Sequence, residues 1–207
     1  MILLPRLYAI ADAHFGDPVR IAQSLLEGGA RLVQLRDKNT GAAEILDHVE
    51  RVLTLAPPDA RIIVNDRMDV ARIAGAAGVH VGQTDLPPAA VRTFLGPECI
   101  VGFSTHNLRQ ALEADMSPVD YIAVGPIFPT FTKQNADPVI GLEGLASISK
   151  AVHKPIVAIG GIRIENVPDV LNAGAHSIAV IRDLLDSADV AKRTREWIDA
   201  LHWRHHL

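Results

Sequence analysis

An α/β chain that closes into a barrel of eight parallel strands is the fold this sequence predicts, and three observations predict it. Short apolar, β-rich runs recur eight times, stretches of helical spacing separate them, and the same small-residue phrase introduces several of them. The runs are "LYAIA" at 7–11, "LVQL" at 32–35, "IIV" at 62–64, "VHV" at 79–81, "CIVGF" at 99–103, "YIAV" at 121–124, "PIVAI" at 155–159 and "SIAV" at 177–180. Between them, Ile21, Leu25 and Leu26, then Ile45, Val49, Val52 and Leu53, and later Val91, Phe94 and Leu95 fall at spacings that put apolar side chains on one helix face. The shared phrase is visible in "GGARLVQL", "AGAAGVHV" and "NAGAHSIAV", where Gly and Ala suit a helix end turning tightly into the next strand.

Near-continuous apolar strands need cover on both faces, which a closed barrel ringed by helices supplies. A doubly wound open sheet would leave edge strands, and neither the first nor the last run is polar or broken enough to be one. The reading is a TIM (β/α)8 barrel, a single domain over residues 1–207, with its active site at the C-terminal ends of the strands.

Composition narrows the function classes. With 48% hydrophobic residues and 21% charged, the chain can bury one sizeable core. Lys and Arg number 20 against 24 Asp and Glu, so neither nucleic acid nor an anionic membrane is an expected partner, and any phosphate binding must be local. Cys99 is the single cysteine and cannot form an internal disulfide. The opening "MILLPRLYAIAD" is interrupted by Pro5, Arg6 and Asp12 and reads as a first strand rather than a leader; the expected location is the cytoplasm.

Polar residues gather where strands end. "QLRDK" follows the second run, "ND" the third, "GQTD" the fourth, "STHN" the fifth, "PTFTK" the sixth, "GGI" the seventh and "IRDL" the eighth. The longest irregular region, "GPIFPTFTKQNADPVI" at 125–140, also belongs to this mouth, and a loop of that length in a compact domain points to function. His106 lies nearby, whereas His80 falls inside an apolar run and reads as a packed, hydrogen-bonded barrel residue.

Asp66 and Asp85 follow neighbouring strands, which lie roughly 4.8 Å apart, so their carboxylates can meet. Two bare carboxylates repel; Mg²⁺, which takes one or two carboxylates and fills its shell with water and phosphate oxygens, resolves that conflict. The alternative is that each aspartate caps the helix that follows it, near Met68 and near Pro87. Arg36, Lys38 and Lys133 would bring three cations to the same place, enough charge for a diphosphate, and Gln34 and Asn65 add neutral groups able to orient a ring edge. Gly160 and Gly161 with Ile181 and Arg182 suggest a second anion site where barrel enzymes often bind phosphate; the plainer reading of the glycines is a tight turn.

Taken in order, "QLRDK", "VNDRMDVA", "GVHVGQTDLP", "GFSTHN", "DYIAVGPIFPTFTK" and "VAIGGI" closely resemble the thiamine-phosphate synthase family. The resemblance implies a TIM barrel transferase that joins a hydroxymethylpyrimidine diphosphate to a thiazole phosphate, releasing thiamine phosphate and diphosphate. Carried over residue by residue, it implies Mg²⁺ on Asp66 and Asp85. It places the pyrimidine diphosphate on Gln34, Arg36, Lys38, Asn65, Ser104 and Lys133, and the thiazole phosphate on Thr130, Thr132, Gly161, Ile181 and Arg182. Arg36, Lys38, Ser104 and Lys133 would assist the chemistry. The family commonly has serine at the position of Arg182, whose side chain has two options: gripping phosphate or pointing away. Two rival readings are a related thiazole tautomerase on the same barrel and a non-catalytic binder of thiamine phosphate; retention of both aspartates and of the leaving-group cations argues for the synthase.

Overall fold

The computed structural model describes residues 3–130 and 137–202. Eight strands are present: β1 (Leu7–Asp12), β2 (Leu32–Arg36), β3 (Arg61–Asn65), β4 (Gly78–Val81), β5 (Ile100–Thr105), β6 (Tyr121–Val124), β7 (Ile156–Ile159) and β8 (Ser177–Val180). Each pairs in parallel with the next, and Leu7, Tyr8 and Ala9 of β1 stand opposite Ile178, Ala179 and Val180 of β8, which closes the barrel. All eight apolar runs are strands, offset by a residue or two at some ends.

The helices between them are α1 (Pro18–Glu27), α2 (Ala42–Leu55), α3 (Met68–Ala74), α4 (Pro88–Leu95), α5 (Leu108–Asp115), α6 (Gly141–Ala151) and α7 (Val167–Asn172). After β8 come the single turn α8 (Arg182–Leu185) and the terminal α9 (Val190–His202). The expected apolar faces are buried: Leu25 and Leu26 in α1, Ile45, Val49 and Val52 in α2, Val91 and Leu95 in α4. Phe94 departs from the expectation, since Val91 and Leu95 one turn apart cover the sheet and leave it 48% exposed at the edge of that stripe. On α9, Trp197 and Leu201 are fully buried, and Trp197 Nε1 donates to Asp183 Oδ2 at 2.6 Å, so the indole gains a partner as well as a core position. The terminal His205 and His206 lie outside the described residues. Among the described residues, no helix is long and apolar enough to cross a membrane.

Two apolar layers follow from the period-two alternation of strands. Ala9, Ala11, Val33, Leu35, Ile62, Val64, Val79, Val81, Val101, Ile122, Val124 and Ala158 pack outward with the helices. Tyr8, Ile10, Leu32, Ile63, Ile100, Tyr121, Ala123, Val157 and Ala179 fill the barrel interior. Gly78 lies in that inner row on β4, and a Cβ there would stand 2.1 Å from the Ile100 carbonyl oxygen on β5. Because the obstacle is backbone in the sheet ladder, Gly78→Ala should cost about 3 kcal/mol. A lowered urea midpoint with an unchanged slope would register that loss.

Candidate active site

Counting along the inner row to the strand ends brings Gln34, Arg36, Asn65 and Ser104 to one mouth. Ile10 stands opposite Gln34, and Asp12 opposite Arg36, in the β1–β2 register. Asn65 stands opposite His80 on β3 and β4, His80 opposite Gly102 on β4 and β5, and Ser104 opposite Ala123 on β5 and β6.

Arg36 is held by a residue to which sequence reading assigned only a place in the first strand. Its Nη1 donates to Asp12 Oδ2, and Asp12 is only 2% exposed, with its second oxygen accepting from the His14 backbone N–H at 3.0 Å. A buried carboxylate with both oxygens occupied fixes the guanidinium in place. The signal was available in principle, because Asp12 shares the parity of Tyr8 and Ile10 and therefore points inward.

The two aspartates do meet. Asp66 stands at φ 61°, the only described non-glycine residue with a left-handed backbone; its N–H donates to the His80 carbonyl at 2.8 Å. That conformation costs a β-carbon-bearing residue about 1–2 kcal/mol, although aspartate tolerates it better than most. Asp85 accepts the Gly82 N–H at 2.7 Å. Burial raises the Asp85 carboxyl above its ordinary range, and the neighbouring Asp66 carboxylate pushes it further. Lys38 opposes this shift and bonds Asp66 directly, Nζ to Oδ2 at 3.2 Å. Neither aspartate caps a helix: α3 and α4 begin after Arg67 and Pro87, without side-chain cap bonds.

Ser104, half-buried at the end of β5, bonds His80, Nε2 to Oγ at 2.8 Å. His80 Nδ1 lies 2.9 Å from Tyr121 Oη, Tyr121 Oη 2.9 Å from Tyr8 Oη, and Gln34 Nε2 donates to Tyr8 Oη at 2.8 Å. The histidine is hydrogen-bonded as expected, within a chain that runs from Gln34 at one end to Ser104 at the other. Asn65 Nδ2 is buried without a protein partner among the described residues.

The opposite side of the mouth is less assembled. Gly160 and Gly161 have φ of 102° and 63°, and a Cβ on them would strike Pro126 Cα at 2.6 Å and Pro129 O at 2.4 Å respectively. The double glycine thus serves both its turn and the close approach of the loop that follows β6. Ile127 and Phe128 N–H groups donate to Ile159 and Gly160 carbonyls at 2.9 and 3.0 Å, Ile140 N–H returns to Pro126 O at 2.8 Å, and His106 Nδ1 lies 2.7 Å from Gly125 O. Half-buried Thr130 follows directly; Thr132 and Lys133 lie outside the described residues. Ile181 precedes α8, whose first residue is Arg182; the Arg182 guanidinium lies 5.3 Å over the Phe15 ring and 3.4 Å from Asp186 Oδ2. Its side chain rests on the rim between the ends of β1 and β8.

A family model described as thiamine monophosphate synthase matches residues 7–184. The chain belongs to the thiamine-phosphate synthase family. It is 48% identical to a thiamine-phosphate synthase of Koribacter versatilis, over 96% of this chain and 97% of that one. A synthase of Shouchella clausii is 41% identical, over 95% and 96%. A solved thiamine phosphate pyrophosphorylase of Pyrococcus furiosus superposes with a TM-score of 0.88 at 38% identity, covering 95% of both chains. The chain is accordingly an enzyme, a transferase of thiamine biosynthesis on a TIM barrel.

The repelled carboxylate carries a pH signature. An Asp85 that holds its proton more tightly folded than unfolded destabilises the native state once deprotonated, so stability falls as pH rises from about 3.8 through the elevated folded value. Asp85→Asn should remove that slope in metal-free protein, and the gap in Tm between variant and wild type should widen in the variant's favour over that window.

Proposed function

We propose that this barrel, a single domain, condenses 4-amino-2-methyl-5-hydroxymethylpyrimidine diphosphate with a thiazole phosphate, giving thiamine phosphate and diphosphate with the help of Mg²⁺. The reaction would take place in the cytoplasm on small phosphorylated molecules. The observation that carries this reading is the juxtaposition of Asp66, Asp85 and Lys38 at one end of the inner row, beside Arg36 locked on Asp12.

The donor set suits Mg²⁺. Among the described residues, no group of three or more His, Cys, Asp or Glu forms a ligand cluster. A pair of oxygen donors fits the habit of a small hard cation that leaves several positions for water and phosphate oxygens. Burial first, and then repulsion from Asp66, raise Asp85, and a divalent ion would relieve the repulsive part. When bound, Mg²⁺ would supply charge neutralisation to the departing diphosphate.

The chain's own residues would do the rest. Arg36 offers a pre-placed guanidinium to phosphate oxygens, since Asp12 already fixes its direction. Lys38 supplies a mobile ammonium that exchanges Asp66 for the diphosphate, and Lys133 would add a third cation from the loop after β6. Buried Gln34 and the unpartnered Asn65 Nδ2 would orient the pyrimidine, and Ser104 would donate to the leaving group. Thr130, Thr132, Gly161, Ile181 and Arg182 would receive the thiazole phosphate. In the Arg182 arrangement seen over Phe15, Ile181 and Gly161 would bind through backbone N–H groups. As the C–O bond breaks, charge on the diphosphate is stabilised by fixed cations, and the thiazole nitrogen captures the pyrimidine-methyl cation without a protein nucleophile.

Product formation from the two substrates should therefore require Mg²⁺, with Asp66→Ala and Asp85→Ala releasing no diphosphate. Arg36→Met should lower kcat about 10²–10³-fold. Full turnover in excess chelator, measured by direct identification of thiamine phosphate, would refute the metal-assisted reaction.

A further inference from the structure

Five polar residues cross the barrel interior as a continuous chain, and three of them have no part in the proposed reaction so far. Tyr8 is 1% exposed and Tyr121 fully buried, their rings meeting edge to face with centroids 5.8 Å apart. Tyr121 also stacks against the His80 ring at 5.6 Å and 18°. Gly102 makes this possible. It stands between His80 and Tyr121 in the sheet register, and a Cβ there would fall 2.0 Å from Tyr121 Cζ and 2.6 Å from His80 Nδ1. The missing side chain is the space through which the two rings reach each other.

The direction of the protons follows by counting donors. Gln34 Nε2 donates to Tyr8 Oη, so the single Tyr8 hydroxyl proton must find a different partner, and Tyr121 Oη stands at 2.9 Å. Tyr121, having accepted, passes its own proton to His80 Nδ1. An imidazole that accepts at Nδ1 carries its hydrogen at Nε2, and Nε2 faces Ser104 Oγ. Ser104 then accepts from within the barrel, leaving its own proton for the mouth. Running the sequence the other way while Gln34 donates would strand the Tyr8 proton in a fully buried position, which native interiors avoid. Burial holds both phenols far above their ordinary titration range, so each keeps the one proton the chain needs.

We propose that Gln34, Tyr8, Tyr121 and His80 form a one-way hydrogen-bond relay that fixes the Nε2–H tautomer of His80 and turns the Ser104 hydroxyl proton outward onto an anionic oxygen of the bound diphosphate. Tyr8, Tyr121 and His80 are positioning residues: none needs to touch substrate, and each acts through Ser104. The inference rests on the reading that Ser104 meets the pyrimidine diphosphate.

Long-range ¹H–¹⁵N correlation on histidine-labelled protein reports each ring's tautomer, with the His80 signals assigned by their loss in His80→Gln. The expected wild-type result is the Nε2–H form. Gln34→Glu, once its carboxyl is ionised, replaces the donor by an acceptor of the same length and should reverse every bond, giving the Nδ1–H form and about a tenfold lower kcat, on top of any change in KM from the place of residue 34 beside the pyrimidine. Adding Tyr8→Phe to that variant cuts the chain between residue 34 and Tyr121, and should return His80 to Nε2–H with part of the lost kcat. Tyr121→Phe, which buries no new charge, should leave His80 as a mixture of tautomers. Wild-type protein in the Nδ1–H form would overturn the relay, as would a pure Nε2–H ring in Tyr121→Phe protein, or in Gln34→Glu protein at a pH where the introduced carboxyl is ionised. An Nε2–H ring that responds to these variants as described, in a protein that makes no product from the two substrates, would sustain the relay and sink the reaction assigned to the mouth.

Discussion

Closure of β1 on β8 is the constraint from which the rest follows. A closed parallel barrel leaves each strand only two directions for its side chains, and the inner one leads into a space too narrow for anything but interlocking rows. Any polar group placed there must be satisfied by another polar group on the same row, since water does not reach it. Tyr8, Tyr121, His80 and Gln34 meet that condition through one another. Gly102, by contributing no side chain, lets the tyrosine and the histidine share a bond across β5. The interior is therefore a packed core below and an ordered polar chain above, ending at the mouth.

At the mouth the structure tolerates arrangements that a purely structural design would avoid. Asp66 holds a left-handed backbone and Asp85 is pushed toward its neutral form by burial and by its neighbour. Asp12, almost completely buried, is committed to fixing one guanidinium. Strain, repulsion and a buried charge in one place are features that cluster at functional sites rather than in purely structural regions. Helices on the outside contribute little to this; they hold the strands whose ends carry the groups.

Much of this was legible in the sequence, and the reason differs from residue to residue. The strands were visible because parallel barrel strands are apolar on both faces, so each run stands out from its surroundings. Asp66 and Asp85 could be paired because consecutive strands of such a barrel are neighbours, which turns chain order into spatial adjacency. Their exclusion as helix caps was not visible, because a residue before a helix start has the same signature whether or not its side chain turns back. Phe94 illustrates the limit of periodicity, since a three-residue spacing fits a helix face without saying where its edge lies. Arg182 shows another limit: Phe15 lies far away in sequence and beside it in space only because the barrel closes.

Residue types and their order determined the number of strands, the end of the barrel where polar side chains gather, and the family to which the chain belongs. Periodicity and composition are local properties, and each strand's pattern is complete within a few residues. Tertiary structure alone decided that Asp12 would clasp Arg36, that Lys38 would pair with Asp66, and that Tyr8 would reach His80 through Tyr121. These contacts join strands by register and closure, whose distances follow from backbone geometry around the whole ring and are written in no single segment.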